Sequence, residues 1–408
     1  MGLGLIGGGA GVAKFFAKQG TDVLVTDLRE KKELKSSLEK LKGLNIKFVL
    51  GRHRIKDFTS ADFIIKNPAV RRDSPYLKIA QKNKIPIKTD IGIFFDLCEG
   101  KIIGVTGTKG KSTTATLIYR FLKTKYPDVF LAGNIGKSPL EILSKLKRKS
   151  KIILELSSFE LEDLKKSPHI ALITSIFPDH LNRYSSFKEY AEAKKSIFKY
   201  QKKNDFLILN YSDKKTRELS KEARGRVLFF KKSNVSAAIL AAKLFKIPQR
   251  SIKKVLSGFK GVPGRQEFIA EKKGVRYVND TTATTPQSVI LAIRSFSEKF
   301  PESRLILIAG GQDKGLNYKE LAQEIKKKIN ILILLPGTAS LKIKKGLKFF
   351  NIIWADSMEK AVKKAKNLAK KGDIVFLSPG AASFNLFKNE FDRGNQFIQA
   401  VQNIYEKK

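Results

Sequence analysis

Short apolar runs rich in β-branched residues alternate along the chain with segments of helical periodicity. The strand candidates are "DVLVTD", "FIIKN", "IIGVTG", "IILELSS", "IALITSI", "FLILN", "LILIAGG", "ILILLPG" and "DIVFLSPG". Helical patterns lie between them, for example over residues 187–200, 318–328 and 358–371. Several runs lack polar alternation, which is typical of strands buried on both faces. The order therefore predicts α/β domains built on largely parallel sheets.

The length of 408 residues predicts several domains, because single cores usually stop growing at about 250–300 residues. Glycine and proline punctuate the pattern near "KTDIGIFFDL" and "GFKGVPGRQEF". We therefore expect three domains, over residues 1–92, 93–262 and 263–408.

The cellular setting is constrained by what the sequence lacks. A single cysteine, Cys98, excludes a disulfide framework within the chain and favours a reducing compartment. No apolar run approaches the roughly 20 residues of a membrane helix, and the start does not resemble a secretory signal. We expect a cytoplasmic protein without membrane insertion.

The formal net charge of +42, taken alone, favours a nucleic-acid partner. The lysines, however, are spread over segments such as "LSKLKRKSK" and "KAVKKAKNLAKK" and do not gather in one aromatic-rich patch. Charged helix faces are usually solvated faces, so we expect no specific nucleic-acid partner. An ATP-dependent nucleic-acid-binding protein remains the non-enzymatic alternative.

The first glycine cluster, "GLGLIGGGAG", fits the G-x-G-x-x-G pattern of dinucleotide sites, with Asp27 at the end of the next strand. The fingerprint normally follows a strand, yet only Met1 precedes it. The first strand is therefore either absent or truncated. A tight structural turn and a ligand site remain equal interpretations of these glycines.

The second cluster, "GVTGTKGKSTT", lies between a strand pattern and a helix pattern. Its spacing differs from the common phosphate loop, because Val105 stands five residues before Gly110 where a glycine is expected. The strand, the loop and the helix start still direct backbone N–H groups at an anion. Lys111 adds a positive charge, and the Ser112 hydroxyl can coordinate Mg²⁺. We predict nucleotide binding here.

The loop "TGTKGKS" resembles the ATP loop of the Mur ligases, the amide-forming enzymes of cell-wall precursor synthesis. The resemblance extends over nearly the whole chain through "GNIGKSPL", "LELSSFELE", "FPDHLNRYSSFKEYAEAKKSIF", "NDTTATTP", "AGGQDKGLNY" and "LSPGAASFNLFKNEFDRG". It implies a three-domain, monomeric ligase that uses ATP and two Mg²⁺ ions. The implied domains are a Rossmann-like domain that binds the UDP substrate, a central ATP-binding domain with a phosphate-binding loop, and a Rossmann-like α/β domain that binds the amino acid. It also implies UDP-N-acetylmuramoyl-L-alanine and D-glutamate as substrates.

Four residues are candidates for catalysis: Lys111, Glu155, His180 and Lys194. ATP-driven ligation gathers many negative charges, which cations must neutralise. Glu155 ends a strand beside the loop and offers an oxygen ligand for Mg²⁺, with Ser112. His180 is a second metal candidate. The resemblance implies that Lys194 is carbamylated to N6-carboxylysine, which turns a cation into a metal-binding anion.

The resemblance also assigns binding residues. The ATP contacts are Gly107, Thr108, Lys109, Gly110, Lys111, Ser112, Thr113, Asn234, Arg265 and Asp280. The UDP-substrate contacts are Gly4, Leu5, Ile6, Asp27 and Asn134. The D-glutamate contacts are Thr284, Lys314, Ser383 and Phe384. An alternative role for Ser383 is the N-cap of a helix over "FNLFKNEF".

Some positions depart from the usual Mur ligase pattern. Glu160 stands where a glutamine is frequent, Thr282 where a lysine often stands, and Asn182 replaces an aspartate. None of these changes removes a predicted metal or phosphate residue. The departures bear on the amino-acid pocket, so a different amino-acid-adding Mur ligase and a folylpolyglutamate-type ligase remain the enzymatic alternatives.

Overall fold

The computed structural model describes residues 1–4, 8–135, 138–180, 183–231, 233–259, 261–313, 315–347, 351–383 and 386–404. The chain forms two compact units, Met1–Ser257 and Gly258–Lys408. The predicted α/β class is confirmed, because helices alternate with strands of mostly parallel sheets in both units. None of the described helices has the length and apolar character needed to cross a bilayer.

The N-terminal part of the first unit contains two small parallel sheets. In chain order its elements are α1 (Gly8–Lys18), β1 (Val23–Asp27), α2 (Lys35–Glu39), β2 (Ile46–Leu50), a 3₁₀ turn (Ile55–Phe58), β3 (Ile64–Ile65), α3 (Pro75–Lys82), β4 (Ile87–Lys88) and α4 (Asp90–Leu97). β1 pairs with β2, and β3 pairs with β4. Each sheet has its own small apolar cluster, one around Leu3 and Val25 and the other around Phe58 and Ile64.

The rest of the first unit is built on a six-stranded parallel sheet in the order β10-β9-β8-β5-β7-β6. Its strands are β5 (Lys101–Thr106), β6 (Val129–Gly133), β7 (Lys151–Glu155), β8 (Ile170–Ile173), β9 (Phe206–Asn210) and β10 (Arg226–Phe230). Its helices are α5 (Lys111–Lys123), α6 (Pro139–Ile142), α7 (Ser158–Leu161), α8 (Phe187–Lys199), α9 (Lys214–Leu219), α10 (Asn234–Leu244) and α11 (Gln249–Ser257), with 3₁₀ turns at Leu143–Lys145 and Ser220–Glu222. The central strands β5, β7 and β8 are buried except at the first residues of β5 and β7, Lys101 and Lys151, as their continuous apolar sequences predict.

The second unit contains a six-stranded sheet in the order β11-β12-β16-β13-β14-β15. Its strands are β11 (Glu267–Lys272), β12 (Val275–Asn279), β13 (Leu305–Gly310), β14 (Ile331–Leu335), β15 (Ile352–Trp354) and β16 (Ile374–Leu377). Its helices are α12 (Pro286–Lys299), α13 (Lys319–Lys328), α14 (Thr338–Gly346), α15 (Met358–Leu368) and α16 (Glu390–Asn403). Apolar clusters cover both faces of this sheet. Only the edge strand β11 runs antiparallel, against β12.

All nine strand candidates overlap a strand of the structure, with β5 and β7 beginning one residue before the quoted runs, and the three helical patterns contain α8, α13 and α15. The pattern over 358–371 extends too far, because α15 ends at Leu368. The Lys370 N–H donates to the Asp373 carboxylate at 2.8 Å, a turn contact that replaces helical pairing. The three-domain boundaries at 92/93 and 262/263 stay a prediction.

Candidate active site

The predicted phosphate loop connects the end of β5 to the first turn of α5. Two of its glycines have positive φ, +144° at Gly107 and +87° at Gly110, a region where side chains are disfavoured. A Cβ on Gly107 would lie 1.9 Å from the Thr174 hydroxyl, and one on Gly110 would lie 2.3 Å from the Asn234 side-chain oxygen. The loop therefore needs glycine for its backbone angles and for close packing. Asn234, predicted to contact ATP, lies directly against it.

The outer side of the loop is held by the segment after β8. The Thr108 N–H donates to the Ser175 carbonyl at 2.7 Å, and the Lys109 N–H donates to the Ser175 hydroxyl at 3.1 Å. The Thr108 hydroxyl accepts a hydrogen bond from the Tyr190 hydroxyl at 3.1 Å. The predicted ATP residues Thr108 and Lys109 thus shape the loop through contacts within the protein. Tyr190 was missed by sequence reasoning, because an aromatic residue in a helix carries no local signal of this role.

The Lys111 ammonium folds back over the loop. It donates to the Gly107 carbonyl at 2.9 Å and to the Thr108 carbonyl at 3.1 Å. Thr113 lies in the same first turn of α5, partly buried. Backbone carbonyls are weaker partners for an ammonium than phosphate oxygens, since charge-assisted bonds to anions are roughly twice as strong as neutral ones. The arrangement favours transfer of Lys111 to a bound phosphate.

Ser112, Glu155 and Asn134 form a hydrogen-bonded chain beside the loop. The Ser112 hydroxyl donates to the Glu155 carboxylate at 2.6 Å, and the Asn134 amide donates to its other oxygen at 3.3 Å. Glu155 is completely buried. The parallel neighbours β5, β7 and β6 end at the same edge of the sheet, which brings the three residues together. The predicted proximity of Glu155 to Ser112 is confirmed.

Lys194 is buried, with 1% of its surface exposed, although the sequence around it looks like a solvated helix. Its ammonium donates to the Gly107 carbonyl at 3.2 Å and lies 4.6 Å from the centre of the Tyr190 ring. Burial, together with the nearby charge of Lys111, lowers the pKa of Lys194 well below that of a solvated lysine. Lys194 therefore carries its proton much less firmly than its exposed neighbours do.

His180 lies near the Tyr190 ring. Its ring centre is 4.8 Å from that of Phe159 and 6.2 Å from that of Tyr190. The residue has a positive φ of +54°, and its N–H is capped by the Asp179 carboxylate at 2.8 Å. Lys194 and His180 thus border the same tyrosine. Asp179, which is buried, is an acidic residue here that sequence reasoning did not single out.

The donor set fits one Mg²⁺ ion. Mg²⁺ is usually bound in proteins by one or two side chains, with phosphate oxygens and waters completing six ligands. The Ser112 and Glu155 oxygens, 2.6 Å apart, meet this requirement. Within the described ranges, no three His, Cys, Asp or Glu side chains are arranged to hold a metal by themselves. The ammonium of Lys194 would repel a second Mg²⁺ ion, so this lysine could serve as a metal ligand only after a modification that removes its positive charge.

Four of the five predicted UDP-binding residues lie at the start of the chain, and two of these four, Gly4 and Asp27, can be described. The Gly4 N–H donates to the Asp27 carboxylate at 3.1 Å, and the Arg29 N–H donates to its other oxygen at 2.9 Å. Asp27 is buried and fixes the turn at Gly4. Leu5 and Ile6 lie outside the described residues.

The second unit holds the remaining predicted contacts. The Asp280 carboxylate accepts hydrogen bonds from the Gln266 N–H at 3.2 Å and the Ser378 hydroxyl at 2.8 Å. Arg265, one residue before Gln266, is half-buried. Asp280 and Arg265 therefore lie on adjoining segments. The two hydrogen bonds that Asp280 accepts give it a structural role at the end of β12.

The predicted D-glutamate residues lie on two loops of the second unit. Thr284 is in the turn after β12 and is partly buried, and Ser383 is buried. The alternative role of Ser383 as a helix N-cap is wrong, because α16 begins at Glu390 and is capped by the Asn389 side chain. Lys314 and Phe384 lie outside the described residues.

Arg393 joins these loops and was missed from the sequence. Its guanidinium, fully buried, donates to the Thr281 hydroxyl at 3.1 Å, to the Thr281 carbonyl at 2.8 Å and to the Ala381 carbonyl at 3.1 Å. Burial lowers the pKa of Arg393 to about 10. The only sequence signal for this role of Arg393 was its position in the motif "FDRG". Arg393 ties the segment after β12 to the segment after β16.

The fold and the loop indicate a nucleotide-binding protein of α/β architecture, and comparison with known families identifies its class. Three domain models match in order: the Mur ligase MurD-like N-terminal domain over residues 1–89, the Mur ligase middle domain over 105–261, and the Mur ligase glutamate ligase domain over 264–380. The chain belongs to the Mur ligase family.

Two relatives illustrate the relationship within the family. A protein of Roseiflexus sp. (strain RS-1), named UDP-N-acetylmuramoylalanine–D-glutamate ligase, is 39% identical over 99% of this chain and 98% of its own length. A protein of the same name from Borreliella burgdorferi (strain ZS7) is 37% identical, over 99% of this chain and 97% of its own. Both relatives align from end to end.

Solved structures share the fold at lower identity. A MurF ligase from Thermotoga maritima in complex with ADP has a TM-score of 0.62 at 19% identity, covering 95% of this chain and 97% of that one. An Escherichia coli FolC structure with ADP has a TM-score of 0.57 at 14% identity, covering 77% and 92%. These likenesses concern the fold alone.

Proposed function

We propose that this protein is an ATP-dependent ligase that joins D-glutamate to UDP-N-acetylmuramoyl-L-alanine in peptidoglycan precursor synthesis. The observation that carries the chemistry is the loop at 107–110, with Lys111 above it and Ser112 bonded to the buried Glu155 at 2.6 Å. The choice of substrates is supported by the end-to-end relatives named as D-glutamate ligases. The enzyme acts in the cytoplasm as a monomer.

The reaction proceeds in two steps. A carboxylate oxygen of the alanyl group attacks the γ-phosphorus of ATP, which forms an acyl phosphate and releases ADP. The amine of D-glutamate then attacks the acyl carbon, so that a C–N bond forms and the C–O bond to phosphate breaks. Inorganic phosphate leaves, and the nitrogen loses a proton to solvent. Both steps concentrate anionic oxygens, whose charge positive groups must offset.

The loop residues supply much of that positive charge. Lys111 moves from the Gly107 and Thr108 carbonyls to the terminal phosphates of ATP. The loop N–H groups and the start of α5 stabilise the same anion. A Mg²⁺ ion held by Ser112 and Glu155 supplies further charge neutralisation when it is bound. Asn134, bonded to Glu155, orients this carboxylate and contacts the acceptor substrate.

Lys194 is proposed to react with CO₂ and become a carbamate. The neutral amine is the reactive form, and the low pKa produced by burial and Lys111 favours that form. The nitrogen attacks the carbon of CO₂ and loses a proton, which leaves an anion at a position now occupied by a buried amine. The product would offer oxygen ligands, with His180, to a second Mg²⁺ ion.

The second unit is proposed to hold the incoming amino acid. Thr284 and Ser383 supply hydroxyl groups, and Lys314 and Phe384 are assigned to the same pocket by the sequence pattern. A dicarboxylate needs cationic and hydroxyl partners, which this set contains. Arg265 and Asp280 are assigned to ATP.

The test is phosphate release from ATP with UDP-N-acetylmuramoyl-L-alanine while the amino acid is varied. D-Glutamate is expected to stimulate release, whereas L-glutamate, lysine and diaminopimelate are not. Equal stimulation by another amino acid would move the assignment to a different Mur ligase. Release that depends on a folate acceptor would support a folylpolyglutamate-type ligase instead.

A further inference from the structure

The segment at 67–70 follows β3 and packs against the predicted UDP-binding turn. A Cβ on Gly4 would lie 3.6 Å from the Asn67 side-chain nitrogen, which is an ordinary contact distance. The Ala69 N–H donates to the Asn67 side-chain oxygen, and the Val70 N–H donates to the Asn67 carbonyl, both at 2.9 Å. Asn67 thus closes a tight turn beside Gly4. We call residues 67–70 the asparagine turn.

Arg183 holds the asparagine turn from the side of the central sheet. Its guanidinium donates to the Ala69 carbonyl at 2.9 Å and to the Val70 carbonyl at 3.1 Å. It also donates to the Glu162 carboxylate at 2.8 Å. The planar fork of an arginine can serve several acceptors in fixed directions, which the point charge of a lysine does not reproduce. Arg183 therefore joins the asparagine turn to the segment that follows α7.

A buried group of charges fixes the same junction. Lys66, whose side chain is 2% exposed, pairs with Asp163 at 2.5 Å and with Glu162 at 3.4 Å. Its ammonium also donates to the Val70 carbonyl at 3.2 Å. Arg72 pairs with Asp163 at 2.7 Å from the solvent side. Buried ion pairs tolerate little displacement, because a separated partner would be left charged without water. The asparagine turn is therefore held in one position against the end of α7.

Arg183 also contacts the surroundings of His180. The His180 carbonyl accepts hydrogen bonds from the Arg183 N–H at 2.8 Å and the Tyr184 N–H at 3.1 Å. The guanidinium carbon of Arg183 lies 5.3 Å from the centre of the Phe159 ring, which is 4.8 Å from the ring centre of His180. The backbone of His180 and one face of its side-chain environment therefore depend on where Arg183 lies.

From His180 the contacts continue to the phosphate loop. The Tyr190 ring centre is 6.2 Å from that of His180, and the Tyr190 hydroxyl donates to the Thr108 hydroxyl at 3.1 Å. A nucleotide that orders the loop will fix Thr108 and, through it, Tyr190. Packed and hydrogen-bonded contacts can carry coupling between two sites when both sites bias the same element. The element shared by the loop and the asparagine turn is Arg183 with the backbone of His180.

We propose that Arg183 is a positioning residue that couples the asparagine turn to His180, so that nucleotide binding at the loop and substrate binding beside Gly4 favour each other. The inference rests on the proposed function for the identity of that substrate. The coupling is reciprocal, because two ligands that favour the same arrangement raise each other's affinity by the same factor. Arg183 acts through its neighbours and is assigned no contact with the reacting atoms.

The test measures hydrogen exchange in peptides covering residues 66–73 of the full-length protein, with and without a saturating non-hydrolysable ATP analogue and Mg²⁺. In the unaltered protein the nucleotide is expected to slow exchange there at least about threefold. Arg183→Gln is expected to remove this response, because an amide lacks the guanidinium fork. Arg72→Gln, which removes the solvent-side ion pair of the same group, is the matched control and should keep the response. No response in the unaltered protein, or an equal response in Arg183→Gln, would overturn the proposal.

Arg183→Lys is the second variant, for the case in which Arg183→Gln does not fold. It keeps the charge beside Glu162 and is expected to lose at least about half of the exchange response. In phosphate release, Arg183→Lys should lower kcat at least about fivefold and change the KM for ATP less than about twofold. A full exchange response in Arg183→Lys, or an equal loss of kcat in Arg72→Gln, contradicts a positioning role.

Failure of the proposed function is observed separately from failure of this inference. The exchange experiment uses the nucleotide alone and needs neither UDP-N-acetylmuramoyl-L-alanine nor D-glutamate. If D-glutamate does not stimulate phosphate release by the unaltered protein, the assignment of the substrates is wrong. The exchange response at residues 66–73 then still decides whether Arg183 couples the asparagine turn to the loop.

Discussion

The Ser112 hydroxyl donates a 2.6 Å hydrogen bond to the buried carboxylate of Glu155. Ser112 lies in the first turn of α5, and Glu155 is the last residue of β7, which pairs with β5. The sheet thus brings a hydroxyl and a carboxylate together at the end of a phosphate loop. Two oxygens in this position match the one or two protein ligands that a Mg²⁺ ion usually takes, as the proposed function requires.

Substitution Glu155→Gln is expected to lower ligase activity at least about 100-fold and to raise the Mg²⁺ concentration needed for half-maximal rate, because an amide oxygen carries no charge. The fold should survive, since glutamine can still accept the Ser112 hydrogen bond. Phosphate release as a function of Mg²⁺ measures the effect. Glu222→Gln, at an exposed carboxylate paired with Lys195, is the control and should leave the Mg²⁺ dependence unchanged. An unchanged Mg²⁺ dependence in Glu155→Gln would remove this residue from the metal site.

Substitution Lys194→Ala is expected to abolish most of the activity, and added acetate or bicarbonate should restore part of it by supplying an anion in place of the carbamate. Lys195→Ala is the matched control, because Lys195 pairs with Glu192 and Glu222 on the adjoining surface. Activity is measured as phosphate release at fixed pH with and without the anions. Full activity of Lys194→Ala without them contradicts the carbamate.

Substitution Gly110→Ala is expected to weaken ATP binding by at least about tenfold. The added methyl group destabilises the loop in two ways. A side chain at this positive φ costs about 1–2 kcal/mol, and the new Cβ would lie 2.3 Å from the Asn234 side-chain oxygen. Gly43→Ala is the control for positive-φ strain away from the loop, because Gly43 has φ +80° and no atom within 4 Å of the built Cβ, and it should leave ATP affinity unchanged. Titration with a fluorescent ATP analogue should show a loss for Gly110→Ala alone. Equal affinity in both variants would mean that the loop tolerates the clash.

Glu160 makes the stability of the first unit depend on pH. Burial, reinforced by the nearby carboxylates of Asp90 and Glu155, raises the pKa of Glu160 to about 7, against the hydrogen bonds that it accepts from Ser157. The folded pKa lies above the unfolded value of 4.5, so the folded state holds the proton more tightly. The stabilisation that the folded state gains by holding this proton is complete below pH 4.5 and is lost as the pH rises through 7.

Substitution Glu160→Gln should therefore raise the melting temperature at pH 8 and change it little at pH 4.5. Between pH 4.5 and pH 8, the change in the free energy of unfolding caused by the substitution should differ by about 3 kcal/mol, because the pKa of Glu160 rises from 4.5 to about 7. Melting temperatures of both proteins at several pH values check this prediction. Asp90, whose pKa burial also raises, stays in both proteins, and its coupling to Glu160 is part of the measured difference. A constant difference across the pH range would contradict the role of Glu160.

The phosphate loop could be predicted from the sequence because its determinants are contiguous. A strand, two glycines, a lysine and a helix start follow one another within residues 101–123, and local geometry then fixes where Lys111 and Ser112 lie. The position of Glu155 also followed, since the carboxyl ends of parallel strands meet at one edge. These features need no knowledge of distant contacts.

The burial of Lys194 could not be predicted from its residue type. Lys194 and Lys195 are neighbours with the same side chain, and only the rotation of α8 decides that one faces the loop and the other pairs with Glu222. The strands β4 and β11 were missed for a related reason. β4 has two residues, and β11 contains charged residues typical of a solvated edge, so pairing with distant strands decides their structure.

The order of the central sheet determines which parts of the first unit should open last. β5 has two strands on one side and three on the other, so fraying at β6 or β10 leaves its hydrogen bonds intact. Partially opened molecules therefore keep the segment that carries the loop at 107–110. A nucleotide that binds both forms through the same loop will therefore not slow proteolysis at the sheet edges, because equal affinity for the two forms leaves the equilibrium between them unchanged.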